Sequence, residues 1–385
     1  MTAPDWFSHT ATTPPRARQR VTQHLAGYAR TVFERARIHL GEEVSVCLSG
    51  SLARGEPAVR RRRTGYALAS DVDLVAVVED PGDPAPVEKF TQALLEAHPD
   101  IDSTVFAVHC QNAGRVAGRF GADLHHAADH PLAGPAPAGV ADPRIGPREG
   151  LESLTHQLAT IYCPDSPPGA TPWRTKTALE ALRAVACSGG CAGGPQRYAS
   201  LVDDPRACDV LDRDVVAELV RAREHSQPMP LTDAHTYELV VAAAAQLFGV
   251  APTHRDLLDA LHTIPADVHL LDGFQRSVLA STMILYGPPR IRRAAASALH
   301  VTMAAIDPST VPIALDSLQA LARISPVEFG RGIDHPNQVL RAHLQGLRAD
   351  YYHHLGPHNF GARPVANYTG PTPAAGPTTG RNDHG

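Results

Sequence analysis

The sequence predicts an α+β protein: an N-terminal α/β domain with a small mixed sheet, followed by an all-α helical-bundle domain. Two observations predict this class. Short β-branched runs alternate with helical segments up to about residue 109. Beyond residue 149 the strand patterns nearly vanish, and apolar residues recur at helical spacing. A chain of 385 residues with 43% hydrophobic residues has enough core material for two domains.

The N-terminal half begins with a loose segment and a helix. Residues 1–15 are rich in Thr and Pro, and we expect them to be loose. Apolar residues at helical spacing then predict a helix that ends before Gly41, because glycine is a good helix stop. The apolar positions of this helix are Val21, Leu25, Tyr28, Val32 and Ala36. With the strands that follow, residues 16–148 are predicted to form one domain.

A change of composition separates the two predicted domains. Residues 131–148 are rich in Pro, Gly and Ala and are interpreted as a linker. Residues 149–366 carry apolar stripes at helical spacing, which are typical of the core faces of a bundle. Residues 367–385 are rich in Gly, Pro and Thr and predict a disordered tail.

A Gly-Ser turn follows the first predicted strand, residues 44–48. Glycine lets the backbone approach a ligand closely, and exposed N–H groups in such a turn bind phosphate oxygens. Residues 52–55 fit the first turn of a helix, whose N-terminus also favours an anion. Gly50 and Ser51 are therefore candidates to hold phosphate.

Two aspartates open the second predicted strand, residues 72–78. Asp71 and Asp73 are two residues apart, so on a strand both carboxylates point to one face. Two carboxylates held together without a cation repel each other, and one pKa rises. A magnesium ion removes that conflict and binds carboxylate and phosphate oxygens together. The pair therefore predicts a magnesium site.

A third carboxylate is expected on a later strand. Residues 103–108 have the composition of a strand, and an acid precedes them. Asp102 shares the alternation of Thr104 and Phe106, whereas Asp100 follows a proline in a predicted turn. Asp102 is preferred on this ground, and Asp100 is the alternative.

The order of these motifs resembles the nucleotidyltransferase superfamily, which includes DNA polymerase beta and the aminoglycoside nucleotidyltransferases. The likeness rests on the Gly50-Ser51 turn, the Asp71-x-Asp73 strand and the later strand acid, and it covers about a third of the chain. More weakly, residues 171–183 resemble the first long helix of the helical half in aminoglycoside-type members. The spacing from Gly50 to Asp71 is longer than in minimal members, and the excess contains Arg60–Arg63.

The resemblance implies a magnesium-dependent transfer of an NMP, with AMP expected, from an NTP to a hydroxyl group of a small molecule, with release of pyrophosphate. It implies two Mg²⁺ ions on three catalytic acids: Asp71, Asp73 and Asp102. It implies an NTP contacted by four residues: Gly50, Ser51, Arg54 and Lys176. Two alternatives stay open. The acceptor could be a protein or RNA, or the chain could be a nucleotide-binding scaffold without turnover.

The sequence leaves two further roles open. Lys176 either contacts the triphosphate or forms a surface pair with Glu180, one helical turn away. The general base that takes the acceptor proton is Asp102, Glu149, Glu152 or Glu180, and the sequence does not choose among them.

Composition excludes other classes of protein. A net charge of −5 and a pI of about 6.5 argue against a general nucleic-acid binder. The local run Arg60–Arg63 is interpreted as a solvated loop, with a clamp for an acidic ligand as the alternative. No apolar run is long enough to span a bilayer, and the cysteines lack paired zinc spacing. We therefore expect a reduced, cytoplasmic protein.

Overall fold

The computed structural model describes the chain over residues 5–79, 83, 85–116, 118–140, 144–159, 172–190, 197–227, 231–264, 270–306, 315–323 and 364–365. The α+β class is confirmed: an N-terminal mixed sheet with helices precedes a mostly helical region. The predicted tail at residues 367–385 lies outside the described residues.

The N-terminal half contains a long first helix, a four-stranded sheet, a separate hairpin and three shorter helices. Their bounds are α1 Pro15–His39, β1 Ser45–Ser49, α2 Gly50–Ala53, β2 Val59–Arg62, β3 Gly65–Leu68, β4 Val72–Val78, α3 Ala85–Ala97, β5 Ser103–His109, α4 Gly118–Ala128 and, from the far end of the chain, β6 Pro364–Val365. A 3-10 helix, Cys110–Arg115, follows β5.

The sheet has the strand order β1-β4-β5-β6. β4 is central, and six of its seven residues are buried, as expected for an apolar run covered on both faces. It pairs antiparallel with β1 and parallel with β5. In the parallel pairing Asp73 lies opposite Thr104, and the Val72 amide donates to the Asp102 carbonyl oxygen over 2.7 Å.

The extra length between the Gly-Ser turn and the aspartates forms the antiparallel hairpin β2–β3. The run Arg60–Arg63 lies on β2 and the turn after it, and all four side chains are exposed. The run is solvated, as expected, although it forms a strand edge rather than a loop.

The prediction of a loose segment over residues 1–15 is wrong for residues 5–14. Trp6 is 1% exposed and belongs to the N-terminal core. The backbone amides of Ala11 and Thr12 both donate to the carboxylate of Glu224 over 2.8 Å. Aromatic burial and these long-range hydrogen bonds outweigh the Thr/Pro-rich composition.

Part of the predicted linker belongs to the sheet edge. The amide of Val46 donates to the carbonyl of Ala133 over 2.9 Å, and the amide of Leu132 donates to the carbonyl of Val46 over 2.7 Å. Gly134 has φ +72°, and a Cβ there would lie 2.2 Å from the carbonyl oxygen of Val44. Residues 132–134 therefore cover the free edge of β1.

Apart from β6, which joins the N-terminal sheet, the second half is helical over the residues described there. Its helices are α5 Pro147–Ala159, α6 Pro172–Cys187, α7 Pro205–Val210, α8 Arg213–Glu224, α9 Asp233–Leu247, α10 His254–His262, α11 Leu270–Tyr286, α12 Pro289–Ile306 and α13 Leu315–Leu321, with a 3-10 helix at Ala199–Asp203. The helix α6 lies at its centre, and Ala178, Leu179 and Leu182 are completely buried. Most of the stability of such a helix comes from this packing.

Each half has its own apolar core. One cluster runs from Trp6 to Ala133, and the other from Leu151 to Ala322. The predicted boundary at residues 148 and 149 falls in the first turn of α5. Among the described residues, no helix combines the length and apolarity needed to cross a lipid bilayer.

Candidate functional site

A cleft of about 280 Å³ lies between the two halves. The N-terminal half contributes the Gly-Ser turn, both aspartates of the Asp-x-Asp motif and part of α4, and the helical half contributes α5, α6 and the segment around Tyr198. All the predicted site residues except Asp102 line it: Gly50, Ser51, Arg54, Asp71, Asp73 and Lys176.

The Gly-Ser turn and the Asp-x-Asp motif meet at the floor of this cleft. Gly50 has φ +63°, and a Cβ there would lie 2.3 Å from the Oδ2 atom of Asp73. Only glycine meets both the backbone conformation and the close approach. The amide of Gly50 donates to Oδ2 of Asp123 over 3.1 Å, which fixes the turn to α4.

The turn presents two hydroxyl groups to the cleft. Ser49 is 1% exposed and Ser51 is 7% exposed. Neither Oγ atom forms a hydrogen bond within the described part of the chain. A buried hydroxyl without a partner costs free energy, so such groups at a turn favour a ligand that supplies acceptors.

Asp71 and Asp73 flank Val72, whose side chain is completely buried. Strand alternation places the two carboxylates on the face opposite Val72. Partial burial and then the negative charge of Asp71 raise the pKa of Asp73 to about 8, while Lys176 acts in the opposite direction. The pair is therefore short of positive charge, and a cation would convert Asp73 to its carboxylate form.

Asp102 does not line the cleft; it lies at the rim and is exposed. The register pairs Val72 with Ser103, so the preceding residues Asp71 and Asp102 are neighbours, and partial desolvation and the charge of Asp71 raise the pKa of Asp102. The residue opposite Asp73 on β5 is Thr104, which cannot supply a carboxylate. The register therefore places Asp102 level with Asp71 rather than with Asp73.

Arg54 lines the cleft, but its guanidinium group is engaged with protein carboxylates. Its Nη1 atom donates to Asp123 over 2.6 Å, and its Nε atom donates to Glu56 over 2.7 Å. Burial raises the pKa of Asp123 to about 6, although the charge of Arg54 lowers it. Arg54 supports the turn from beneath, and its contact with a nucleotide stays a prediction.

Lys176 extends from α6 into the cleft and is exposed there. Desolvation alone would lower its pKa, but the charge of Asp71 and smaller contributions from Asp73 and Glu180 raise it. It makes no hydrogen bond or ion pair with a residue that the structure describes. The alternative pair with Glu180 does not form, because Glu180 is held by other residues.

Sequence reasoning missed the buried polar network at the side of the cleft. Glu180 is 5% exposed and pairs with Arg119 and, over 3.3 Å, with Arg183, while the Tyr198 hydroxyl donates to it over 2.5 Å. Burial alone would raise the pKa of Glu180, but Arg183 and Arg119 hold it well below its usual range. Glu56 accepts from Arg183 over 3.2 Å and from the Tyr198 amide over 2.7 Å.

The four candidates for the general base differ in their position relative to the cleft and in the contacts of their carboxylates. Glu180 is occupied by cations, and Asp102 is outside the cleft lining. Glu149 and Glu152 lie on α5, line the cleft and approach Gly118. The same face of α5 also presents polar residues that the sequence did not single out: Ser153, His156 and Gln157.

Comparison of the chain with models of known protein families, with curated proteins and with solved structures found no match.

Proposed function

We propose that this chain is a magnesium-dependent nucleotidyltransferase that moves an NMP, with AMP expected, from an NTP to a hydroxyl group of a small molecule. One observation carries the proposal: the Gly50-Ser51 turn and the Asp71/Asp73 pair converge within one cleft, in direct contact. A phosphate-binding turn beside two carboxylates short of positive charge suits a metal-bound triphosphate.

The donor set of the cleft fits magnesium. Asp71 and Asp73 offer hard oxygen ligands, which this ion prefers, and the negative charge of Asp71 beside Asp73 favours a cation bound to both. Asp102 lies beside Asp71 across the β4–β5 pairing and would take part from there. A bound ion would neutralise charge on the phosphates and on the leaving group.

The chain's own residues would position the nucleotide. The hydroxyls of Ser49 and Ser51, which lack partners within the described chain, would donate to phosphate oxygens. Lys176 would reach the phosphates from α6 on the opposite wall. Because Arg54 and Asp123 fix the turn from below, its donors are held in place before the nucleotide binds.

The transfer step joins the acceptor to the α-phosphorus. The acceptor oxygen forms a bond to that phosphorus, the bond from the α-phosphorus to the bridging oxygen breaks, and pyrophosphate leaves. The acceptor proton passes to a carboxylate of the Glu149/Glu152 pair on α5, which faces the cleft from the helical half. Most of the rate enhancement would come from positioning and charge neutralisation.

The test is turnover with a defined nucleotide. Full-length protein is incubated with each NTP labelled at the α-phosphate, Mg²⁺ and a panel of small hydroxylated molecules. We expect pyrophosphate and a labelled product whose mass equals acceptor plus NMP minus water. Transfer to the protein itself, to RNA or to no acceptor would contradict the small-molecule assignment.

A second function is nucleotide binding without transfer. The observation that favours it is the position of Asp102, the third predicted acid, which is exposed and does not line the cleft with Asp71 and Asp73. Calorimetry with NTP and Mg²⁺ separates the two functions. Tight magnesium-dependent binding with no pyrophosphate release across the acceptor panel would favour this second function.

A further inference from the structure

Three side chains of types that serve as metal ligands meet away from the cleft. His24 lies on α1, His98 directly follows α3, and Asp100 lies two residues later, before β5. One ring nitrogen of each histidine and one carboxylate oxygen of Asp100 lie within 4.8 Å of one another. We propose that these residues bind a divalent transition-metal ion, with Zn²⁺ as the expected ion.

The distances within the triad suit a shared ion. Nε2 of His24 lies 3.2 Å from Oδ2 of Asp100. Two ligands at zinc distances and a tetrahedral angle are about 3.3 Å apart. This Nε2 atom is buried, and within the described residues it has no hydrogen-bond partner. Nε2 of His24 and Oδ2 of Asp100 thus place two potential ligand atoms side by side, as a shared cation requires.

The surrounding residues hold the ligands in place. Nε2 of His98 lies 2.9 Å from the hydroxyl of Thr31, and such a bond orients a metal-binding imidazole while leaving its other nitrogen for the ion. The amide of Ile101 donates to the carbonyl of His98 over 3.0 Å, which closes the turn that carries Asp100. The ring of Tyr28 packs edge-on against His98 at 5.3 Å.

The donor types select the metal. Two imidazoles and one carboxylate suit Zn²⁺, Co²⁺ or Ni²⁺, whereas Mg²⁺ prefers an all-oxygen set. Three protein ligands leave a fourth position for water. Access is available through a groove of about 260 Å³ that His24 and Asp100 line together with Arg20, Arg62 and Tyr66.

The ion would join two parts of the N-terminal half. His24 belongs to the first helix, and the other two ligands belong to the turn between α3 and β5. Because the three ligands come together only in the folded chain, an ion that binds them would raise the thermal stability of the protein. This role is independent of transfer in the cleft, so either proposal can fail without the other.

The experiment uses full-length protein stripped with a chelator and returned to buffer with excess Mg²⁺. Zn²⁺ is titrated by calorimetry, and Co²⁺ by its visible absorption. We expect one Zn²⁺ per chain and a higher melting temperature. His24→Ala, His98→Ala and Asp100→Asn should each weaken binding by at least about tenfold, and Thr31→Val should weaken it by about tenfold, as for loss of a supporting hydrogen bond.

Two controls make the result specific. His39→Ala changes another histidine of α1 outside the triad, and Asp71→Asn changes the cleft; both should bind Zn²⁺ like the wild type. Asp100 is 64% exposed at its side chain, so Asp100→Asn tests the site without disturbing the core. No Zn²⁺ binding by the wild type, or equal binding by His24→Ala and Asp100→Asn, would overturn the proposal.

Discussion

Carboxylates in two neighbouring regions of this molecule have opposite protonation behaviour. In the open cleft, partial burial and the charge of Asp71 raise the pKa of Asp73 to about 8. In the network at the side of the cleft, three guanidinium groups face Glu56, and its pKa falls below the usual range although burial alone would raise it. Two carboxylates of the same interface therefore have pKa values shifted in opposite directions, upward for Asp73 and downward for Glu56.

The difference lies in how many cations each region supplies. Arg119, Arg183 and the Tyr198 hydroxyl surround Glu180, so its charge is compensated inside the protein. Lys176 is the cation from the helical half that acts on Asp71 and Asp73. The network thus holds the halves together, and the cleft is left to be completed by a ligand. Substitutions that remove one charge from the network or from the cleft, followed by measurements of stability and turnover, test this comparison.

The largest expected effect comes from breaking the compensated region. Glu180→Gln keeps the shape of the side chain but leaves Arg119 and Arg183 without their shared carboxylate. Breaking a buried ion pair by removing one partner costs about 3–5 kcal/mol of the free energy of unfolding. Urea unfolding of the full chain measures that loss.

Asp203→Asn is the matched control for this substitution. Asp203 pairs with Arg213 on the surface, with 74% of its side chain exposed, so its loss should leave the urea midpoint nearly unchanged. Similar losses in both variants would show that the buried network is no more important than a surface pair.

The next effect concerns turnover. Asp71→Asn and Asp73→Asn each remove a charge that would face the metal-bound triphosphate. We expect each to lower kcat by about 10²-fold or more, the scale for losing a preorganised charge contact. Asp129→Asn, which changes an exposed aspartate of the same half outside the cleft lining, should keep wild-type kcat. Wild-type rates in both cleft variants would reject the site.

The pH dependence of stability should distinguish the cleft from the network. A carboxylate whose folded pKa is raised stabilises the fold in its protonated form, and this stability is lost as pH rises from the unfolded value near 4 toward the folded value. For Asp73 that window ends at about pH 8. Without Mg²⁺, the wild type should therefore lose stability across this window relative to Asp73→Asn.

For Glu56 and Glu180 the pH dependence of stability has the opposite sign to that of Asp73. Their folded pKa values are lowered, so their stability is present above about pH 4 and is lost as pH falls through the folded values. Thermal melts of the wild type and Asp73→Asn from pH 3 to 9 measure both effects. At pH 8 without Mg²⁺ the wild type should melt at a lower temperature than Asp73→Asn, relative to the same comparison at pH 4, and Mg²⁺ should remove this difference. Parallel curves at every pH would contradict the assignment.

The sequence predicted the cleft better than the network for a physical reason. Gly50 and Ser51 directly follow one strand, and Asp71 and Asp73 lie at the start of another, so short local patterns are enough to find all four. Strand periodicity also places the two aspartates on one face. The pairing register between strands is not encoded in one strand, and the structure places Thr104 rather than Asp102 opposite Asp73. Local pattern therefore predicted which acids lie at the start of each strand, but not which of them are level with one another across the sheet.

Long-range pairs account for the rest of what was missed. Glu56 and Arg183 are 127 residues apart, and Ala11 and Glu224 are 213 residues apart, so no local spacing links them. Composition also misjudged the N-terminus, because a Thr/Pro-rich segment held one tryptophan whose burial decides its structure. A charged residue between apolar neighbours on a helix, as Glu180 and Arg183 are on α6, was the one available signal.

The smallest expected effect concerns Lys176, which belongs to the helical half but acts on the acids of the other half. If it contacts the triphosphate, Lys176→Ala should raise the KM for the nucleotide about tenfold, the loss of one charge-assisted contact, and leave the KM for the acceptor nearly unchanged. Lys176→Arg should recover part of the nucleotide affinity, because it keeps the positive charge.

The same substitution also sharpens the contrast between the two regions. Because Glu180 is held by Arg119, Arg183 and Tyr198, removing Lys176 should leave the free energy of unfolding unchanged within about 0.5 kcal/mol, as for a residue outside the buried network. Initial rates over a matrix of nucleotide and acceptor concentrations, with urea unfolding of the same samples, separate the outcomes. Unchanged KM values with lowered stability would instead assign Lys176 to the interface between the halves and exclude it from nucleotide binding.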